Sequence, residues 1–213
     1  MRLLSISLSH MEAQERILQS AEAIFMRMGI RSVSMDDISA QLGMSKKTLY
    51  QYFEDKDQLV TMVVGRHFQT KCLELEACSN QAQNAVHEFF LLLDRLIIDF
   101  TSMNPIVLHD MQKFHPLAYA SFTRYKQEFV LSCVRKNIER GKEEGYYRSE
   151  LDADIMSKYR LESIMIPFNL SVFPPEHYTL VSTAKLISEN FIYGLVTPQG
   201  HELVEQYINE RRK

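Results

Sequence analysis

The sequence predicts an all-α protein: an N-terminal three-helix domain with a helix-turn-helix, joined to a C-terminal helical bundle. Three observations predict it. Only seven glycines and six prolines punctuate 213 residues. Apolar residues recur at helical spacing through most of the chain, and no strand-like alternation lasts long enough to build a sheet. The length leaves room for one large domain or for a small one beside a medium one, and a real core is within reach.

The first helix is expected over Met11 to Met28, with Ile17, Ala21, Ile24, Phe25 and Met28 on one side and Gly29 as its stop. Residues 34–53 form two short helices about a tight turn. Asp55 caps a fourth helix from Lys56 to Glu76, which carries Leu59, Val60, Val63 and Val64. A fifth, from Ala82 to Ser102, repeats Val86, Phe89, Leu93, Leu96, Ile97 and Phe100. A short sixth spans Pro105 to Phe114, broken by His115-Pro116. A long seventh runs from Leu117 to Glu144, with Phe122, Phe129, Cys133, Val134 and Ile138 along one side, and ends at Gly145. Asp152 caps an eighth, Leu151 and Met156 form a hydrophobic staple, and Pro167 disrupts the last turn. Pro175 suits the first turn of a ninth helix from Glu176 to Gly194, and Thr197-Pro198 starts a terminal helix to Arg211.

Composition narrows the function. Apolar residues make up 46% and charged residues 24%, as in ordinary globular proteins, and the net charge of −3 excludes a protein that coats nucleic acid. Residues 1–67 hold 8 Lys/Arg and 8 Asp/Glu; the remainder holds 16 and 19. The N-terminal part therefore acts on any polyanion by placing a few charges, among them Arg31, Lys46, Lys47 and Lys56. Met1 to Leu8 mimics a secretory start, but its apolar stretch is short, broken by serines and without a cleavage site before Met11. No signal peptide and no membrane span are expected. Residues 1–10 are read as a leader, open to disorder: either Met11 is the natural start, the preferred reading, or the leader is an arm that touches DNA.

The stretch from Ser34 to Lys56 carries the chemistry. Ser34 can cap the first short helix, with Asp37 completing a capping box, and Ile38 and Leu42 share a buried face. Gly43 tolerates the left-handed turn. Ser45 caps the second helix, whose first turn carries Lys46, Lys47 and Thr48 with no acid among them. Leu49 and Phe53 anchor that helix, leaving Lys46, Lys47, Thr48, Tyr50 and Tyr52 to meet a ligand. Lysines and hydroxyls at a helix start suit phosphate oxygens and base edges. An ordinary capped helical hairpin would share one of these features, not all of them in register.

On those residues the run from Glu15 to Leu59 resembles the DNA-binding domain of the tetracycline-repressor (TetR) family of bacterial transcriptional regulators. The matching elements are Ile17-Leu18, Ala21, Phe25, Gly29-Ile30, Ser34, Asp37-Ile38-Ser39, Leu42-Gly43-Met44-Ser45, Thr48-Leu49-Tyr50, Tyr52-Phe53, Lys56 and Leu59. Ser39 and Leu42 stand where alanine is commoner, and Lys47 where a small residue is frequent. The resemblance implies a helix-turn-helix domain over 11–55 (12–72 with its connecting helix), and a ligand-binding and dimerisation domain over 56–213. It implies that Lys46, Lys47, Thr48 and Tyr50 face the groove, with Ser45 at the helix start, while Ser34, Tyr52 and Lys56 hold phosphates.

The rest of the chain matches the family only in helix count and lengths. The resemblance implies an effector pocket between the fifth to eighth helices, and Phe89, Leu93, His109, His115, Phe122, Tyr125, Phe129, Met165 and Phe168 are its candidate lining. For any single aromatic residue here, core is the default reading, and a hydrogen-bonded structural role is preferred for His109 and His115. The implied dimer packs residues 154–168 and 176–195 of two copies, with Leu180, Thr183, Ala184, Ile187, Ser188 and Phe191 as candidate interface. Cys72, Cys78 and Cys133 lack zinc or redox spacing, and an odd count fits a reducing cytoplasm. No Glu-x-x-His, His-Glu-x-x-His, phosphate loop or nucleophile elbow occurs, so no metal, cofactor or catalytic residue is expected.

The expected function is therefore a cytoplasmic, homodimeric repressor that binds palindromic double-stranded operator DNA and leaves it when a small-molecule effector binds. The alternative is a helical-bundle ligand carrier or enzyme that has lost operator binding.

Overall fold

The computed structural model describes residues 2–211, with side chains from His10 onward. Every regular element among them is helical; an isolated antiparallel bridge joins Tyr147 and Val196. The helices are α1 (Arg2–Met28), α2 (Met35–Gln41), α3 (Lys46–Leu49), α4 (Lys56–Gln81), α5 (Ala85–Ser102), α6 (Ile106–Phe114), α7 (Pro116–Arg124), α8 (Leu131–Glu143), α9 (Ala153–Met165), α10 (Leu180–Leu195) and α11 (Pro198–Arg211). The chain forms two compact units. One holds the residues up to Thr70 together with Ser102–Thr123; the other holds Lys71–Thr101 and the chain from Arg124 onward.

In the first unit Ile17, Leu18, Ala21, Ile24 and Phe25 of α1 pack with Ile38, Leu49, Phe53, Leu59, Val60 and Val63 in one core. Val107, Met111 and Ala118 join it, so α6 and α7 belong to the same unit as the helix-turn-helix. Gly29 ends α1 at φ +84°, a conformation other residues rarely adopt. A Cβ there would lie 2.6 Å from Ile106 Cγ2, so α6 also depends on the missing side chain. Beside it the Arg31 amide donates to Asp110 Oδ2 (2.9 Å), and the Asn104 amide donates to the Met26 carbonyl (2.7 Å).

Three expectations shift in this unit. The backbone of α1 is helical from Arg2, well before Met11, while Met1 lies outside the described residues. Met28, expected on the buried side of α1, is half exposed, because the chain turns away at Gly29 before that side is covered. His109 is exposed on α6, and His115 is buried with its Nδ1 2.7 Å from Asp57 Oδ1, so the structure gives His115 the structural role.

The second unit has its own core of Val86, Phe89, Phe90, Leu93, Ile138, Phe191, Ile192, Leu195, Val204 and Ile208. At one end Glu88 is buried, accepting from Asn137 Nδ2 (3.0 Å), Arg140 Nη1 (3.4 Å) and the Ser79 hydroxyl. The buried Tyr147 hydroxyl donates to the Ala85 carbonyl (3.1 Å), and a Cβ on Gly141 would meet the Tyr147 ring. The expected seventh helix is interrupted. Between α7 and α8, Tyr125–Val130 form a π-helical turn, closed by the Leu131 amide on the Lys126 carbonyl.

The expected ninth helix starts later. Pro175 lies outside α10, whose cap is Thr179, accepting from the Ser182 amide (3.1 Å). Asp152 caps α9 by accepting from the Asp154 and Ile155 amides, and α9 gives way to a 3-10 turn, Ile166–Phe168, at Pro167.

The inward face of α10 is the one expected at the dimer interface. Leu180, Thr183, Ala184, Ser188 and Phe191 are buried within their own chain, and Ile187 is half-buried. The apolar side chains left outside are others: Leu186 (70% exposed) and Tyr193 on α10, Ile155 (63%) and Tyr159 on α9, and Ile166 in the 3-10 turn after it.

Candidate nucleic-acid interface and effector unit

The turn between α2 and α3 is built by short-range bonds. Asp37 Oδ2 accepts from the Ser34 amide (2.8 Å) and hydroxyl (2.6 Å), while the Asp37 amide donates to Ser34 Oγ (3.2 Å), completing the capping box. Those bonds hold the Asp37 carboxyl below its usual range, the Ser34 hydroxyl foremost. Gly43 takes φ +65°, and the Met44 amide reaches the Ser39 carbonyl (3.0 Å). Ser45 Oγ accepts from the Thr48 amide (3.0 Å) and lies 2.8 Å from the Thr48 hydroxyl. Such a cap contributes about 1 kcal/mol. α3 itself is one turn long and passes into turns over 50–52, with Leu49 and Phe53 buried as its anchors.

The expected DNA-facing residues divide into three groups. Lys47 and Tyr50 are exposed, and Thr48 is half-buried beside its cap. Lys46 is exposed but ion-paired, its Nζ 2.8 Å from Asp36 Oδ1, and that hydrogen bond raises its pKa. Lys56 turns inward: its Nζ donates to the Ile30 carbonyl (2.7 Å). Burial lowers its pKa, opposed by Asp110, Asp57 and Asp37. Tyr52 is half-buried under the His10 ring, centroids 4.4 Å apart.

Several partners were not legible in sequence. Asp36 as the counter-ion of Lys46, His10 on Tyr52 and Asp110 under Arg31 all depend on long-range placement. Arg31, expected near DNA, has its guanidinium 5.0 Å from the centre of the Phe114 ring.

The candidate effector residues fall into both units. In the first, Phe122 packs on Phe68 (5.6 Å) and Tyr119 (5.9 Å). In the second, Tyr125 stacks on Phe129 in the π-turn (6.1 Å), Phe168 meets Phe100 edge-on (5.2 Å), and Met165 is half-buried. Leu93 is buried, and Phe89 stacks on Phe191 (6.3 Å), joining a candidate pocket residue to a candidate interface residue inside one core. Burial raises the pKa of Tyr125, Cys72 and Cys78, and pushes Cys133 up to about 11. Among the described residues no cluster of His, Cys, Asp or Glu could hold a metal ion, and no helix is long and apolar enough to cross a membrane.

A capped helix, a left-handed glycine turn and a second capped helix that leaves lysine and tyrosine outside define a helix-turn-helix DNA-binding protein. Residues 17–63 match the profile of bacterial regulatory proteins, tetR family. Residues 17–63 are thus a domain of the tetR family type. Over 125 residues it is 30% identical to YvaF of Bacillus subtilis, named an HTH-type transcriptional regulator; that match covers 58% of this chain and 65% of YvaF. The chain thus spans just under two thirds of that relative. Solved structures share the fold. A transcriptional regulator from Saccharomonospora viridis in complex with choline superposes with a TM-score of 0.73 at 17% identity, over 87% of this chain and 98% of that one. SmeT, the repressor of the Stenotrophomonas maltophilia multidrug efflux pump SmeDEF, superposes with a TM-score of 0.64 at 20% identity, over 87% and 91%.

Proposed function

We propose that this protein is a cytoplasmic, homodimeric transcriptional repressor that leaves a palindromic operator when a small molecule binds its second unit. The observation that carries the reading is the solvent-facing set Lys46, Lys47 and Tyr50 on a capped, buried-anchor helix, in a domain of the tetR family. A palindrome needs two copies with reading helices about 34 Å apart. The exposed apolar side chains of α9 and α10, led by Leu186 and Ile155, supply a face for pairing two copies. SmeT, a repressor, and the regulator in complex with choline support a repressor and a small-molecule ligand, respectively. Release is a population shift, so the effector must bind the DNA-free conformer more tightly.

A gel shift with the DNA upstream of the protein's own gene tests the reading. Retardation of that fragment at nanomolar protein, competed by itself and not by unrelated DNA, is expected. Equal retardation of both fragments would overturn it.

A further inference from the structure

Arg160 is 6% exposed, on the inner face of α9. Its Nη2 donates to the Ser188 hydroxyl of α10 (2.9 Å). Its guanidinium lies 5.5 Å from the centre of the Phe89 ring and 5.2 Å from that of Phe191. Nη1 is buried with no hydrogen-bond partner, and no carboxylate of the described residues pairs with the charge. The other buried ionic group of this unit, Glu88, is held by Asn137, Arg140 and Ser79, and Arg135, whose Nε is also buried without a partner, is ion-paired with Asp154, so the lack of a carboxylate is particular to Arg160. Two ring faces and one neutral hydroxyl offset a buried cation only in part. Burial accordingly lowers its pKa to about 10, still leaving it charged at neutral pH.

We infer that Arg160 is the anion receptor of the second unit, and that the effector class is a small carboxylate with an apolar or aromatic body. The guanidinium fork would take the carboxylate through Nη1, and Phe89 and Phe191 would take the body. This rests on the proposal that the second unit binds an effector; it adds the chemistry of that effector. Because Nη1 is covered, the carboxylate reaches it only as the α5, α9 and α10 side chains part, so binding and rearrangement are one event.

The test is calorimetry on the full chain with acetate, phenylacetate and octanoate, each against its uncharged amide. At least one acid should bind roughly tenfold or more tightly than its amide, the difference expected of a charge-assisted contact. Arg160→Met should abolish that preference while gaining thermal stability without ligand, because it removes an uncompensated charge. If Arg160→Met does not fold, Arg160→Lys, which keeps the charge and loses the fork, should weaken the acid and not the amide. Failure of all three acids to bind, equal binding of acid and amide, or a preference that survives both variants would overturn the inference. So would an Arg160→Met protein that turns monomeric while no acid binds the wild type, since the missing carboxylate would then belong to a second copy. Operator affinity is measured separately: acids that bind through Arg160 without releasing DNA would leave this site standing and remove the switching reading.

Discussion

Lys46 on α3 is ion-paired with Asp36 on α2, Nζ to Oδ1 at 2.8 Å, so one of the three lysines expected at the DNA already has a counter-ion from the same motif. Both side chains are exposed, and water and salt screen such pairs until they contribute little. A phosphate can therefore displace the carboxylate at small cost. Asp36→Asn should raise operator affinity by several-fold at low salt, with the gain shrinking as salt rises. Anisotropy titrations over a salt series check this; weaker binding would show that Asp36 positions Lys46 instead of competing for it.

Lys47 and Lys56 should separate by what they affect. Lys47 is exposed, so Lys47→Ala should leave the melting temperature unchanged and alter preference among operator variants. Lys56→Met would leave the Ile30 carbonyl with only the long bond from the Val33 amide (3.4 Å) and cost about 1 kcal/mol of stability. Thermal melts beside operator titrations decide it. A uniform loss of affinity in Lys47→Ala would reduce that residue to a phosphate contact.

Gly29→Ala combines a positive φ with a Cβ 2.6 Å from Ile106, so two penalties act together. A loss of roughly 2 kcal/mol or more is expected, with α6 loosened first. Hydrogen exchange at the Arg31 amide, which donates to Asp110, reports it directly.

The two sides of α10 should respond differently to charge. Leu186→Asp, on the exposed side, should yield a folded monomer with little operator affinity. Ala184→Asp, at 3% exposure, should instead destabilise the second unit itself. Sedimentation and melting curves of both variants distinguish the outcomes, and a dimeric Leu186→Asp protein would move the pairing surface elsewhere.

Cys133 should be a poor redox sensor. With its pKa pushed up to about 11 by burial, its thiolate is scarce at neutral pH. Alkylation should run about two orders of magnitude more slowly than for an unhindered thiol of pKa about 8.5. Mass-spectrometric kinetics with iodoacetamide measure this, and rapid labelling of Cys133 in the folded protein would contradict it.

Features that depend on near neighbours in the chain were legible without coordinates. The Ser34–Asp37 capping box, the Ser45 and Asp152 caps, and the glycine stops at 29, 43 and 145 each involve groups a few residues apart, and all form as read. So do the buried anchors Leu49 and Phe53, whose spacing places them on one side. The start of α10 was misplaced because Pro175 permits a helix start, whereas Thr179 and Ser182 supply the hydrogen bonds that make one.

Only the tertiary structure decided which of two apolar sides of α10 faces inward. Leu180, Ala184 and Phe191 on one side and Leu186 and Tyr193 on the other are both hydrophobic, so periodicity cannot choose between them; packing against Phe89 does. The same holds for charge. Lys46, Lys56 and Arg160 are alike in sequence as cations, but one meets Asp36, one a backbone carbonyl and one no carboxylate. Burial and partner identity set what each cation can do, and both are properties of residues brought together by folding.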